Sequence, residues 1–319
     1  MQTLMRMNNF IGRHFPWFVL GCVALGLSMG ETLARYAPLT VYIFAFTSFN
    51  NSLGGGFTDL ARVARHPKPV LAVMLLVHLV MPLFALGVGN LLFPDAPLFT
   101  LGLLLEFVIP TGVSSLMWAG LAGGHVPLCL AVVLLDTLLA PVLVPLSMRV
   151  FSGTVVQMDG VGMMIDLMYM VAIPAVIGMT LHQITRGRVA ETVKPKLEPI
   201  SRLFLLALIA INASGCTAFL RQIDRTLVLV IAAVFVLTLL GFYLGYLAGR
   251  LLKRPFPEVL AMTLNTGNRN ISAGAIIAAA YFPPEVLFPV AFSPVFFQIV
   301  VSFTVKLIQR GEEKRQKTE

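Results

Sequence analysis

Charge is what this sequence has least of. Only 12% of its 319 residues are Asp, Glu, Lys or Arg, about half the share of a soluble domain. That excludes an ordinary water-covered globule of this length. Cysteine is nearly absent as well: Cys22, Cys129 and Cys216 all lie in apolar runs with no metal-ligand spacing. A disulfide framework and a zinc site are therefore excluded, and the three are expected to be free thiols packed as small apolar residues. The H-E-x-x-H signature is missing too, and the single G-x-S-x-G match, Gly26-Leu27-Ser28-Met29-Gly30, lies inside the first apolar run. Ser114 and Ser115 have only His78 as a base at comparable depth, so no enzymatic activity is expected, and no cofactor or metal either.

What is present is apolar residues, 57% of the chain, with a mean hydropathy of +0.87. This composition predicts an all-α polytopic membrane protein in which each crossing takes about 20 residues. Polar breaks divide the chain into ten spans, at about 16–34, 37–50, 70–93, 98–120, 126–150, 161–183, 203–220, 226–250, 256–281 and 284–308. The second is short and grades into the Gly-rich run at 51–56. The first has an Arg-containing leader but no small-residue cleavage site, and is read as a retained helix.

Lys and Arg alternate unequally across those spans. On the side of the N-terminus fall Arg6, Arg13, Arg62, Arg65, Lys68, Arg186, Arg188, Lys194, Lys196, Arg202, Arg250, Lys253, Arg254, Lys306, Arg310, Lys314, Arg315 and Lys317. Opposite them are only Arg35, Arg149, Arg221 and Arg225. The bias places both termini in the cytoplasm of a cell whose inner membrane the chain crosses. The net charge of +8 is then a matter of topology, with the lipid bilayer and not nucleic acid as the partner. Arg269 alone among the basic residues is left inside the membrane.

Two spans are broken near their middles around a Thr-Gly pair, Thr111-Gly112 in the fourth and Thr266-Gly267 in the ninth, 155 residues apart. With five spans per half, the halves 1–155 and 156–319 are expected to be inverted-topology repeats whose breaks meet near the midplane. Irregular backbone in a membrane leaves N–H and C=O groups unpaired unless it is buried in protein or lines a cavity. Pro110, lacking an N–H, and Gly112 and Gly267, tolerating positive φ, are residues that can end one half-helix and start another. The second half-helix of each span presents free N–H groups and a partial positive charge, which favours an anion. Simple kinks for helix packing are the alternative. Two breaks in corresponding positions, one carrying Asn265, Asn268, Arg269 and Asn270, favour a binding site for a small molecule.

The first break reads Pro110-Thr111-Gly112-Val113-Ser114-Ser115-Leu116 and the second Asn265-Thr266-Gly267-Asn268-Arg269-Asn270. These resemble the two motifs of the bile acid:sodium symporters, Pro-Gly-Gly-x-x-Ser-Asn and Glu-x-Gly-x-Gln-Asn, with Pro110, Gly112, Ser115, Gly267 and Asn270 matching. The resemblance spans nearly the whole chain. It implies a panel of helices one, two, six and seven, a core of the other six, and helices four and nine broken and crossing. It also implies carriage of bile acids or smaller carboxylates by alternating access. The expected contacts of an organic anion are Thr111, Gly112, Val113, Ser114 and Ser115 with Asn265, Thr266, Gly267, Asn268 and Asn270. A channel or a substrate-sensing receptor is the other class to exclude. The oligomeric state stays open.

The departures concern sodium. Where the family places a glutamate shared by two sodium sites, this chain has Asn265; Arg269 replaces a glutamine, Leu116 an asparagine, and Cys129 and Val133 align with hydroxyl ligands. A hard cation needs several oxygens, so sodium coupling is not expected, and the guanidinium of Arg269 is expected to stand at the ion's position and hold the crossing together with hydrogen bonds. Glu106 and Asp136 are its candidate partners or proton carriers, Asp136 first because helix five lines the family's sodium region. Asp166, near a span end, is expected to be solvated or to have a minor role. His78 is either a hydrogen-bonded packing residue or a proton relay, and Asn212 faces either the panel or the cavity.

Overall fold

The computed structural model describes residues 14–64, 67–152, 158–220 and 224–316. Arg6, Arg13, Arg65, Arg221 and Lys317 of the charge reading, and the repeat boundary at 155, lie outside the described residues. Proline sets much of the helix pattern, because it starts helices well and continues them badly. It occupies the first turn of α1 (Phe15–Met29), α4 (Pro97–Val108), α8 (Lys194–Ser214), α10 (Phe256–Gly267) and α12 (Pro284–Phe292). Between these run α2 (Thr40–Ser52), α3 (Pro67–Leu92), α5 (Ser114–Ala122), α6 (Val126–Ser152), α7 (Gly160–Ile184), α9 (Arg225–Leu251) and α11 (Ile271–Tyr281), with α13 (Pro294–Gln316) last. Asp159 and Asp224 cap α7 and α9 by accepting from the Gly162 and Leu227 amides at 2.8 Å each.

Inside α3 and α7, proline acts at a distance. Pro82 cannot donate to the His78 carbonyl four residues back, nor Pro174 to that of Met170. Each helix accordingly widens to a π turn just before its proline, at Leu76–Val80 and Met168–Ala172.

Among the described residues, five helices are both long and apolar enough to cross a bilayer: α3, α6, α7, α8 and α9. The broken spans fall short for a simple reason. At about 1.5 Å per residue, the 12 residues of α4 or α10 reach about 18 Å, and only together with α5 or α11 do they approach bilayer thickness. Both breaks occur where expected. The predicted span at 284–308 departs from expectation, because Pro294, lacking a donor, separates α12 from α13. The predicted span at 203–220 is also displaced: α8 begins at Lys194, since Pro195 and the charges after it open a helix instead of forming a loop.

Burial separates the helices into two kinds. On α3, Leu71, Leu75, Leu79 and Leu83 are exposed at every fourth residue, as a lipid-facing stripe. By contrast every residue from Thr100 to Val108 of α4, and from Val259 to Gly267 of α10, is buried. The broken helices are thus enclosed by protein, the condition under which irregular backbone is tolerated at membrane depth. Around them α3 packs on α4, α9 on α10, and α12 on α4; elsewhere α1 packs on α8, and α2 on α7 and α8. The α9–α10 contact depends on small residues. Gly241, Gly245 and Gly249 recur at every fourth position, and a Cβ on Gly245 would stand 2.8 Å from the Met262 carbonyl oxygen and from Thr263 Cα.

Gly245→Leu is therefore expected to force α9 and α10 apart, at about 1–3 kcal/mol of overpacking. Thermal melting of the purified protein in detergent measures this, and Gly87→Leu, where a Cβ meets nothing within 4 Å, is the control expected to melt near wild type.

Candidate functional site

The first break begins at Ile109, which the following proline pushes out of helical conformation to φ −58° and ψ 150°. The second begins at Asn268, extended at φ −88° and ψ 128°. The two extended pieces run antiparallel and pair across Thr111 and Arg269. Gly112 N donates to the Asn268 carbonyl at 3.1 Å, and Asn270 N to the Pro110 carbonyl at 2.8 Å. Each break thereby satisfies backbone groups that the other leaves open. Gly112 and Gly267 are glycines for closeness and not for positive φ, which among the described glycines is confined to Gly30, Gly123 and Gly187. A Cβ on Gly112 would lie 2.6 Å from the Arg269 carbonyl oxygen, and one on Gly267 would run into the Phe242 ring.

Side chains tie the crossing together. Ser115 Oγ donates to Asn265 Oδ1 at 3.0 Å, and Asn265 Nδ2 to the Ala261 carbonyl at 2.9 Å. Weaker bonds of 3.4 Å join Thr111 Oγ1 to the Asn265 carbonyl and Ser114 Oγ to Asn268 Oδ1. From α6, fully buried Asp136 accepts from Thr111 N at 2.7 Å and meets His78 Nε2 at 2.7 Å.

Arg269 is 3% exposed, and none of its guanidinium nitrogens has a hydrogen-bond partner among the described residues, so the hydrogen bonds expected of it across the crossing are not made there and its hold is electrostatic. Its guanidinium lies 5.9 Å from the Phe107 ring centroid, in the fields of both Asp136 and Glu106. Asp136, the first of the two expected partners, makes its hydrogen bonds to His78 and Thr111 and acts on the guanidinium through its field. Glu106 is 1% exposed, and its Oε2 has no hydrogen-bond partner among the described residues. Asp166 is away from the crossing, accepting from Tyr281 at 2.5 Å.

Beside the crossing lies a cavity of about 230 Å³. One wall is α2 and α8, with Thr47, Ser48, Asn51, Glu198, Ser201, Arg202 and Asn212; the other is α5, α6 and α11, with Ser114, Met117, Val133, Thr137, Ile271 and Ser272. Gly112, Val113 and Ser114 at the start of α5, and Arg269 and Asn270 at the start of α11, both reach it. Asn270 also caps α11, its Oδ1 accepting from Ala273 N at 3.4 Å. Of the ten expected anion contacts, Gly112, Val113, Ser114 and Asn270 line the cavity. Thr111, Ser115, Asn265, Thr266, Gly267 and Asn268 instead form the buried crossing behind it. Glu198, Ser201 and Arg202 were not anticipated from the sequence, although with Leu205, Ile209 and Asn212 they recur at the three-to-four-residue spacing of one helix face. Leu116 and Val133 also line the cavity, whereas Cys129 is buried with its thiol 3.9 Å from the Ala261 carbonyl.

The sequence model of the Sodium Bile acid symporter family matches residues 46–223. Bacillus subtilis protein YbaS is 38% identical over 292 residues, 92% of this chain and 95% of that protein. The B. subtilis uncharacterized sodium-dependent transporter YocS is 26% identical over 99% of this chain and 97% of its own length. The Arabidopsis thaliana probable sodium/metabolite cotransporter BASS1, chloroplastic, is 28% identical over 94% of this chain and 74% of its own.

Removing the Asn270 cap with Asn270→Ala is expected to lower ligand-free stability by about 1 kcal/mol, a melting shift of roughly 2 °C. Asn270→Ser, which keeps a capping oxygen, is expected to recover most of it.

Proposed function

Because the chain belongs to the Sodium Bile acid symporter family, and so is a membrane transporter and not an enzyme, we propose that it carries an organic anion by alternating access, without sodium coupling. The observation that carries this reading is the cavity between two helix groups, bordered by the starts of α5 and α11. Helix N-termini with open amides favour a carboxylate. The apolar Met117, Val133 and Ile271 beside them suit an amphipathic or small organic acid over a hydrated inorganic ion. Panel α1, α2, α7 and α8 would move against the core of the remaining helices, and the contacts of α1 with α8 and of α2 with α7 and α8 fit that division.

Two further parts of the proposal follow from the sequence. Residues 1–155 and 156–319 form inverted repeats, a reading supported by the like packing of α3 on α4 and of α9 on α10. Both termini face the cytoplasm of the inner membrane, for which the Lys and Arg bias is the support.

Sodium independence is supported by the ligand set. The buried Asn265 makes its hydrogen bonds to Ser115 and Ala261, Leu116 and Val133 supply no oxygens, and Arg269 brings a fixed positive charge to the crossing. A covalently held cation orders the breaks but cannot be released, so it transmits no gradient energy. A sodium- or proton-coupled symporter with rebuilt ion sites is the second reading. The name of YocS, a sodium-dependent transporter, favours its sodium form.

Saturable uptake into proteoliposomes with counterflow of preloaded carboxylate is expected, since a channel gives none. Affinity for that carboxylate is expected to be equal in sodium and choline at matched ionic strength. A tenfold gain in sodium, about 1.4 kcal/mol of coupling, would favour the second reading. Asn265→Glu with Arg269→Gln is expected to introduce partial sodium dependence.

A further inference from the structure

Charges around the crossing do not balance. Arg269 of the second break, Asp136 of α6 and Glu106 of α4 are each at most 3% exposed, and the side chain of His78 in the π turn of α3 is 11% exposed. Asp136 accepts an amide hydrogen from Thr111 and faces His78 Nε2, the surroundings of an ionised carboxylate. Arg269 offsets that charge. Glu106, if also ionised, leaves one excess negative charge enclosed in protein at membrane depth, where an uncompensated charge is strongly unfavourable. The cluster therefore has room for one more proton.

His78 Nδ1 is buried with no hydrogen-bond partner among the described residues. With Nε2–H donated to Asp136, Nδ1 is the lone pair that remains. A proton added there makes an imidazolium against Asp136 and leaves Arg269 to Glu106, so the cluster goes from a charge of −1 to zero with no bond between heavy atoms changed. Among the described residues, the charged or titratable groups acting on Asp136 are His78 from α3 and Arg269 from the second break, with Glu106 of α4 acting through Arg269. Glu106, whose Oε2 is also unpartnered among the described residues, is the competing proton acceptor. The His78–Asp136 pair is bonded directly to the crossing.

We infer that His78 and Asp136 form a proton-binding site linked to the cavity through Thr111. Asp136 Oδ2 anchors Thr111 N, and the next residue, Gly112, both pairs with Asn268 and lines the cavity. An anion entering the cavity adds negative charge beside the crossing and so favours proton uptake. By reciprocity, protonation tightens anion binding. Affinity for an anion rises as pH falls through the titration of the pair. This link rests on the transport reading; the proton site itself does not.

The ligand-free test uses full-length protein, purified in detergent with nitrogen-15-labelled histidine rings, and follows their signals against pH. Among the signals of the five histidine rings, one is expected to show a transition with pH that is absent in His78→Gln, has its midpoint moved in Asp136→Asn and is retained in Glu106→Gln. No titration of the His78 ring anywhere between about pH 4 and 10 overturns the proposal, as does a transition that Asp136→Asn leaves unmoved. If His78→Gln fails to fold, the wild-type and Glu106→Gln titrations decide. The second arm adds pantoate as probe in weak buffer: up to one proton taken up per protein is expected, and none in His78→Gln. Pantoate binding without proton uptake by the wild type overturns the link to the cavity. Pantoate that does not bind counts against the proposed substrate class and leaves the ring titration to decide the site.

Discussion

The rest of this structure depends on one constraint, that a backbone N–H or C=O in hydrocarbon must find a partner inside the protein. Two chain breaks at membrane depth would each leave several such groups open, at several kcal/mol apiece. They are held because they cross: Gly112 donates to Asn268 and Asn270 to Pro110. That pairing demands two glycines, one where the breaks touch and one where Phe242 presses on Gly267. It also demands that α4 and α10 be buried on every side, which the outer helices provide. Because each break pairs backbone groups that the other leaves open, the two are one structural unit, and the helices after them, α5 and α11, start at the same cavity.

Burying a guanidinium at this unit adds a second constraint. Arg269 has no hydrogen-bond partner among the described residues and meets only the face of Phe107 and the fields of two carboxylates. A buried charge in such surroundings persists when its balance is electrostatic across a cluster and not supplied by a single ion pair. Asp136 is therefore shared among Thr111, His78 and the field of Arg269, and any change of charge in one member is felt at the others. Coupling between a bound anion and the ionisation of the core then needs no large motion; it needs only that the crossing be the joint on which both act.

Much of the frame was legible in the sequence because hydropathy and proline act locally. The positions of both breaks, the closeness of Arg269 to Glu106 and Asp136, and the cavity-facing start of α11 follow from residue types and their spacing. What escaped depended on three-dimensional approach. Gly112 and Gly267 read as glycines that tolerate positive φ, whereas what the structure uses is the absence of a side chain. Asp136 read as a partner of Arg269, but its hydrogen bonds to His78 from the π turn of α3 and to Thr111 N depend on approach that spacing does not give. Glu198, Ser201 and Arg202 read as a polar loop because their charges hid a helix start, and so the longer wall of the cavity was missed. Six of the ten expected anion contacts lie behind the cavity for the same reason: sequence adjacency to a break does not say which side of the crossing a residue faces.

The central claim is that a covalently attached cation orders the crossing of the two breaks. It is tested most directly by thermal melting of Arg269→Ala in choline buffer, with and without millimolar guanidinium, beside the wild type. The account predicts a clearly lowered melting temperature for the variant, a partial recovery when guanidinium is added, and no such gain for the wild type. A variant that melts like the wild type in choline alone would contradict it, because the buried charge would then contribute nothing to holding the breaks together.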